Sequence, residues 1–251
     1  MDLNSLTREE FAKRIIDDWA AYFDVSPGTF AKSGSSYLHR ENYAANRVII
    51  AHVDQHSFVQ YNPDVDERIQ SFAKQCPGDL TVTADHLVSY FENEHIQIEC
   101  LDHMFYLYPA DLTLWEPDKS FTVRKLLAED EASLDALNAA CPKAEVENSF
   151  VEIDELGVWG CFKEDKLVAA TAYSDWGLYA DFGVITHPAF RKQGLAKAVV
   201  SAACQEAIAI GKIPIYRCHI TLFPSINTAK AVGFKKYSEA YFKMEVLKFM
   251  R

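Results

Sequence analysis

The chain has 251 residues, of which 49% are hydrophobic and 24% charged, with a formal net charge of −11. That profile fits a soluble globular protein large enough to bury a substantial core, and its acidity argues against nucleic acid as the main partner. No apolar run approaches the ~20 residues needed to span a bilayer, and Met1-Asp2-Leu3-Asn4-Ser5 has neither the basic nor the apolar part of a signal peptide.

In the first part, Thr7 and Glu10 have the spacing of a capping box, and Phe11, Ile15, Trp19 and Phe23 then recur every four residues. This predicts a helix with one apolar face. Ser33-Gly34-Ser35-Ser36 reads as a short flexible loop. Arg47–Val53 and Ser57–Tyr61 read as strands. Val65, Ile69 and Phe72 predict a helix ended near Pro77-Gly78, and Ala84–Glu92 another. Ile96–Tyr108 is expected as one or two strands. His52 and His56 have a metal-ligand spacing, but in a strand-and-turn context that spacing is less useful, and no metal is expected.

A polar seam at Pro109–Lys119 divides the chain into two expected regions. Residues 1–118 form an N-terminal α+β region of unassigned role, and residues 119–251 carry the chemistry. In the second region a strand is predicted over Phe121–Lys125, a helix over Asp130–Ala140, and a short helical or irregular piece over Ala144–Phe150. Three strands follow, Gly157–Phe162, Leu167–Tyr173 and Leu178–Thr186. A helix begins at Leu195 and ends at Gly211, with Leu195, Val199, Ala203 and Ala207 on one face. Pro214–Ile220 is the next strand. A helix from near Ser225 breaks at Gly233-Phe234, before a last strand over Ala240–Leu247.

The most informative stretch joins the Leu178–Thr186 strand to the Leu195 helix through Arg191-Lys192-Gln193-Gly194. A strand that empties into a helix start leaves N–H groups unpaired at the positive end of the helix dipole. Such a place binds phosphate. Gly194 lets the backbone approach a ligand, Ala196 is small, and Arg191 and Lys192 add full charges.

Arg191-x-x-Gly194-x-Ala196, the strand and helix around it, and the ending Ala229-Lys230-Ala231-Val232-Gly233-Phe234 resemble the GNAT superfamily of acyl-CoA-dependent N-acetyltransferases. The resemblance covers residues 120–250. Thr186-His187-Pro188 and Tyr216-Arg217-Cys218-His219 further resemble a bacterial subgroup that includes zwittermicin-resistance-type acetyltransferases, whose members often carry an extra N-terminal region. The fold implied is α+β, a mixed, splayed sheet flanked by helices and preceded by a smaller α+β domain.

The resemblance also implies acetyl-CoA as co-substrate and an amine as acceptor, by direct attack in a ternary complex. By motif position, the backbone at Val184, Ile185 and Thr186 would meet the pantetheine amides. The N–H groups from Lys192 through Gln193, Gly194, Leu195 and Ala196 to Lys197 would cradle the pyrophosphate, with Arg191 beside them. Lys192 or Lys197 would reach the 3′-phosphate or remain a solvated charge.

An alkylammonium of pKa about 10.4 must lose its proton at pH 7 at a cost of roughly 4.6 kcal/mol, against roughly 2 kcal/mol for a thiolate leaving group of pKa about 8.5. A base therefore matters more than an acid. Asp181 on the motif strand is the first candidate, with a water-exposed carboxylate as the equal alternative. His187 and His219 follow, each also readable as a structural hydrogen-bonding residue. The Tyr that many family members place four residues before the final Gly is Ala229 here, and the Asn eleven before it is Leu222. The small polar residue eight before it is kept as Ser225, to touch the cofactor or cap its helix. A non-catalytic acyl-CoA-binding or sensory module is the alternative function. Six separated cysteines suggest a reducing cytoplasm. Expected partners are a small-molecule amine, with no nucleic acid and no membrane; the oligomeric state is open, a homodimer included.

Overall fold

The computed structural model describes residues 2–92, 94–235 and 242–249. These fall into two compact units. One comprises the residues up to Arg8 together with Phe105–Arg217 and Leu222–Lys235; the other comprises Glu9–Met104, Cys218–Thr221 and the strand Phe242–Phe249. The chain thus passes between units more than once, whereas the sequence seam suggested one crossing at 118/119. The first residues join the Phe105–Arg217 unit for a physical reason. Leu3 is fully buried, Tyr108 donates its hydroxyl to the Leu6 carbonyl (2.6 Å), and Arg8 ion-pairs with Asp111.

The unit led by Glu9–Met104 contains α1 (Arg8–Phe23), β1 (Gly34–His39), β2 (Arg47–Val53), β3 (His56–Tyr61), α2 (Asp66–Ala73), α3 (Ala84–Tyr90) and β4 (Ile96–Tyr106). Its strand order is β1-β3-β2-β10-β4, where β10 is Phe242–Phe249. The predicted start of that last strand at Ala240 lies outside the described residues. The apolar face of α1 is as expected: Phe11, Ile15, Trp19 and Phe23 are buried, and Phe23 stacks on Phe58 at 3.9 Å. The expected loop at Ser33–Ser36 is corrected, because Gly34–His39 is a strand parallel to β3. Serine hydroxyls make this possible. Ser35 Oγ donates to the Leu80 carbonyl (2.7 Å) and accepts from Val82 N–H (2.9 Å), giving a polar segment the partners of a strand.

The other unit contains β5 (Phe121–Lys125), α4 (Glu131–Ala139), α5 (Lys143–Ser149), β6 (Gly157–Lys163), β7 (Lys166–Trp176), β8 (Tyr179–Thr186), α6 (Leu195–Ala209), β9 (Ile213–His219) and α7 (Phe223–Val232). The α+β class and the element order expected from the sequence are both present. Strand order is β9-β8-β7-β6-β5, antiparallel except for the parallel β8–β9 pair. One face carries Leu126, Leu134, Leu137, Val151, Phe162, Leu167 and Ile185 in a shared apolar cluster with α4. Residues Ala198, Val199, Val200, Ala203, Cys204 and Ala207 of α6 are buried, a pattern of small and branched side chains that lets a helix lie close on a sheet.

The parallel pairing of β8 with β9 runs from Tyr179↔Ile213 to Phe182↔Tyr216 and stops there, although β8 continues to Thr186. Two contacts bracket this point. Phe234, fully buried after the α7-ending Gly233 (φ +110°), packs on Phe182 (6.2 Å) and Tyr216 (5.6 Å), the last pair in register. Burying such a ring contributes about 2–3 kcal/mol. Beyond it, Gly183 lies against the end of α5, where a Cβ would stand 1.7 Å from the Ser149 carbonyl oxygen. Replacing Gly183 with Ala forces the α5 end off the sheet, so urea unfolding should show a loss of about 2–3 kcal/mol; an unchanged midpoint would refute the close approach.

Candidate active site

The site follows from the strand ladder. His187 N–H donates to the Val168 carbonyl (2.9 Å), which sets the phase of the antiparallel β7–β8 pairing. With that phase, residues 183, 185 and 187 turn their N–H and C=O toward β7, and residues 182, 184 and 186 turn theirs toward β9. Beyond Phe182 no β9 partner is in register among the described residues, so the N–H and C=O of Val184 and the N–H of Thr186 lie on the strand's unpaired edge. The Thr186 carbonyl is already used: it accepts from Arg191 Nε (3.2 Å) and faces the Cys141 thiol (3.8 Å). Of the three backbone residues expected at the ligand, Ile185 thus belongs to the sheet interior. The motif named three consecutive residues, but strand alternation permits two.

After Thr186 the chain makes a 3-10 turn, Pro188–Phe190, then places Lys192 (φ +65°) and Gly194 (φ +80°) in the left-handed region. Alternating left-handed residues gather successive N–H groups into an anion-binding concavity. A non-glycine residue held there is strained by about 1–2 kcal/mol. Arg191 (φ −67°, ψ 161°) and Lys192 are the centre of a tight turn that aims the Gln193 N–H back at the Phe190 carbonyl. Among the described residues, no acceptor takes the N–H of Lys192, Gly194, Leu195, Ala196 or Lys197, and the first intrahelical bond is Ala198 N–H to the Gly194 carbonyl (3.1 Å). A Cβ built on Gly194 would meet nothing within 4 Å, so the concavity opens outward there. Gly194 is required by its φ rather than by crowding. The donor set matches a diphosphate: several amides, a helix start behind them, and no carboxylate hydrogen-bonded among them.

The charged residues around the loop divide into two groups. Arg191 ion-pairs with Glu145 of α5, so it ties the loop to α5 and its charge is matched within the protein. Lys197 holds its ammonium 4.1 Å from the centre of the Trp115 ring. Lys192 and Gln193 are exposed at the rim. Ser225 lies inside the first turn of α7 and bonds to the Tyr216 hydroxyl (2.8 Å), which makes it part of the β9–α7 packing rather than an N-cap.

Each of the three expected proton carriers has its own hydrogen-bond partners. Asp181 Oδ2 accepts from Arg217 Nε (2.9 Å) and also from its Nη2. The carboxylate is largely buried, 14% exposed, and Arg217 also lies over the Trp176 ring at 5.5 Å. His187 Nδ1 accepts from Ala189 N–H (3.2 Å), capping the 3-10 turn, and its Nε2 lies 3.1 Å from Lys166 Nζ. His219 belongs to the other unit, where Nδ1 contacts Thr221 Oγ1 (2.8 Å).

Glu155, just before β6, has its carboxyl pushed above the ordinary value, chiefly by burial and further by Glu152, Asp154 and Asp181. No motif marks it; only the fold brings it into the field of Asp181. His52 and His56, the spaced pair, bond to protein: Ser57 Oγ lies 2.8 Å from His52 Nδ1, and Ser36 Oγ lies 2.9 Å from His56 Nε2. Among the described residues, no group of three or more His, Cys, Asp or Glu side chains is arranged to hold a metal. Nor is any helix there long and apolar enough to cross a membrane.

The strand that outruns its parallel partner and the N–H-lined turn after it define the class of fold, and comparison with known proteins names the family. The family model for GNAT acetyltransferases matches residues 50–241. The chain belongs to the GNAT acetyltransferase family. The match begins at residue 50, well before the region expected from the motifs. No curated protein matches. Among solved structures, the fold is similar to a functionally unknown conserved protein from Staphylococcus epidermidis (TM-score 0.53, 11% identity, 83% of this chain and 93% of that one). It is also similar to an acetyltransferase of the GNAT family from Colwellia psychrerythraea (TM-score 0.50, 16% identity, 81% of each chain). At such identities the likeness concerns the fold alone.

The His187 environment yields a pH prediction. Burial, then Lys166 and Arg191, lower its pKa below the ordinary 6.5. The stability it contributes is full above pH 6.5 and is lost as pH falls through the lowered folded value. Thermal unfolding of the wild type should therefore weaken between pH 7 and pH 5 more steeply than that of His187→Gln; parallel curves would refute the assignment.

Proposed function

We propose that the protein transfers an acetyl group from acetyl-CoA to the amine of a small-molecule acceptor, by direct attack in a ternary complex. The observation that carries this reading is the set of five unengaged N–H groups, those of Lys192 and of Gly194 to Lys197, at the end of a strand whose pairing with β9 stops at Phe182. The cradle holds the diphosphate, and the Val184 and Thr186 backbone pairs with the pantetheine amides. When bound, acetyl-CoA supplies an acyl group activated as a thioester.

The chain's own task is to receive the acceptor and its proton. Asp181, fixed by Arg217, offers its other oxygen to orient an ammonium, and Glu155 accepts the proton that the amine must lose. A carboxylate whose proton affinity is raised is the better base, because the gap to an amine near pKa 10.4 narrows. His187 acts as a cap, since both of its ring neighbours are hydrogen-bond donors. We further infer the zwittermicin-resistance-type subgroup, on Thr186-His187-Pro188 and Tyr216-Arg217-Cys218-His219, and a reducing cytoplasm, on five free cysteines among the described residues. The non-catalytic alternative draws on Ala229, fully buried where many relatives carry a Tyr hydroxyl.

Incubation with acetyl-CoA and a panel of amines should release free thiol, and Gly194→Glu, which sets a carboxylate in the cradle, should weaken acetyl-CoA binding at least about tenfold. No binding by the wild type at millimolar acetyl-CoA would overturn the reading, whereas binding without thiol release from any amine would favour the sensory module. Glu155→Gln should lower kcat by about 10²-fold or more and remove the acid limb of the kcat/KM profile, a limb expected above the ordinary carboxyl value of 4.5. Asp181→Asn should act mainly on the acceptor KM.

A further inference from the structure

The segment Asp111–Trp115 is laced onto the end of α7 and the side of α6. Thr113 N–H donates to the Val232 carbonyl (2.9 Å), and the Asp111 carbonyl lies so close to Gly233 that a Cβ there would stand 2.0 Å away. Trp115 is held at both its polar groups. Its backbone N–H donates to Ser201 Oγ (3.0 Å) and its indole Nε1–H to the Ala231 carbonyl (2.9 Å). Ser201 Oγ in turn donates to the Ala198 carbonyl (3.1 Å), so the acceptor is itself oriented.

The indole is nonetheless 37% exposed, with a face turned to the Lys197 ammonium 4.1 Å from its centre. An indole whose N–H groups are both fixed, while the residue stays 37% exposed and only a lysine side chain faces its ring, has little to gain as core packing. It is built as a surface for a flat ligand. Its place relative to the cradle is set by α6. Lys197 contributes an unengaged N–H to the cradle and a side chain to the ring, and Ser201 lies one turn further, about 6 Å along the helix axis.

We propose that Trp115 is the platform on which the purine ring of the CoA nucleotide stacks, with Lys197 moving from the indole face to a nucleotide phosphate as the base arrives. The inference rests on the acetyl-CoA reading above and extends it to the residue that recognises the nucleotide. An ammonium over an indole is a weak seat compared with a charge-assisted bond to phosphate. Lys197 therefore has reason to leave and the ring face has reason to be vacated. Stacking on an aromatic side chain is tolerant of base identity, so the platform adds affinity for the nucleotide end without touching the reacting end of the molecule.

The test uses adenosine 3′,5′-bisphosphate, which carries the base and phosphates without pantetheine, titrated into the full chain by calorimetry and by tryptophan emission. The wild type should bind with quenching. Trp115→Ala should bind roughly tenfold more weakly and lose the quenching component, while Trp115→Phe keeps most of the affinity. In turnover, Trp115→Ala should raise KM for acetyl-CoA and leave KM for S-acetylpantetheine, which lacks the nucleotide, unchanged. Circular dichroism and melting temperature report whether each variant is folded, and Trp115→Phe decides the case if the alanine variant is not. Undiminished bisphosphate binding by a folded Trp115→Ala, or equal loss with both acyl donors, overturns the platform alone if the wild type still binds acetyl-CoA in a Gly194-dependent way. A wild type that binds neither ligand overturns the platform together with the acetyltransferase reading.

Discussion

The arrangement of the site depends on one constraint: β8 and β9 pair for four residues and then part. Parallel pairing ends at Phe182↔Tyr216, and Phe234 packs against both members of that last pair. One residue further on, the Ser149 carbonyl occupies the space of a Gly183 side chain. Strand separation leaves polar backbone groups without partners, at about 1–3 kcal/mol for each one kept from water. A fold keeps such an opening when a ligand or solvent fills it. Packing around Phe234, worth a few kcal/mol, holds the paired end together while the open end stays open.

The second determinant is how a chain of net charge −11 holds a polyanion. Long-range attraction is unfavourable overall, but charges beyond the Debye length of about 8 Å are largely screened. What counts is the first shell. There the protein presents N–H dipoles at Lys192 and from Gly194 to Lys197, and the charge of Arg191 is matched by Glu145. The ion pair ties the loop to α5, and on the proposed reading it is the amides that meet the ligand. The pairing of Asp181 with Arg217 has a similar effect: it orients a carboxylate that would otherwise rotate freely.

Much of this arrangement was legible in the sequence, and the failures are physical ones. Apolar spacing located α1, because Phe11, Ile15, Trp19 and Phe23 all point into one core. The Arg191–Ala196 turn and Gly233-Phe234 stood out because φ values of +80° and +110° demand glycine. The β1 strand was missed because its backbone partners come from distant residues and its serines satisfy Leu80 and Val82, contacts that no local pattern reports. Ile185 was misassigned because a motif read as consecutive letters ignores the two-residue period of a strand. Glu155 and Trp115 carry no motif. What singles them out is set by the fold: the burial and neighbouring carboxylates that raise the proton affinity of the first, and the hydrogen bonds of the second to Ser201 and Ala231.

The loss of the family's Tyr at Ala229 is less damaging than it first looks, and the two proton transfers show why. A thiolate leaving group with pKa near 8.5 departs unprotonated at a cost of roughly 2 kcal/mol, while removing a proton from an alkylammonium costs roughly 4.6 kcal/mol. Dropping the acid therefore forgoes the smaller gain. The larger one is what the proposal assigns to the carboxylates: Asp181 is ion-paired to Arg217, and Glu155 holds its proton more tightly than an ordinary carboxyl. Every unit by which that proton affinity rises narrows the transfer by about 1.4 kcal/mol. On the proposed amine-acceptor reading, a site that lacks a phenol but keeps a carboxylate of raised proton affinity has kept the group that matters more.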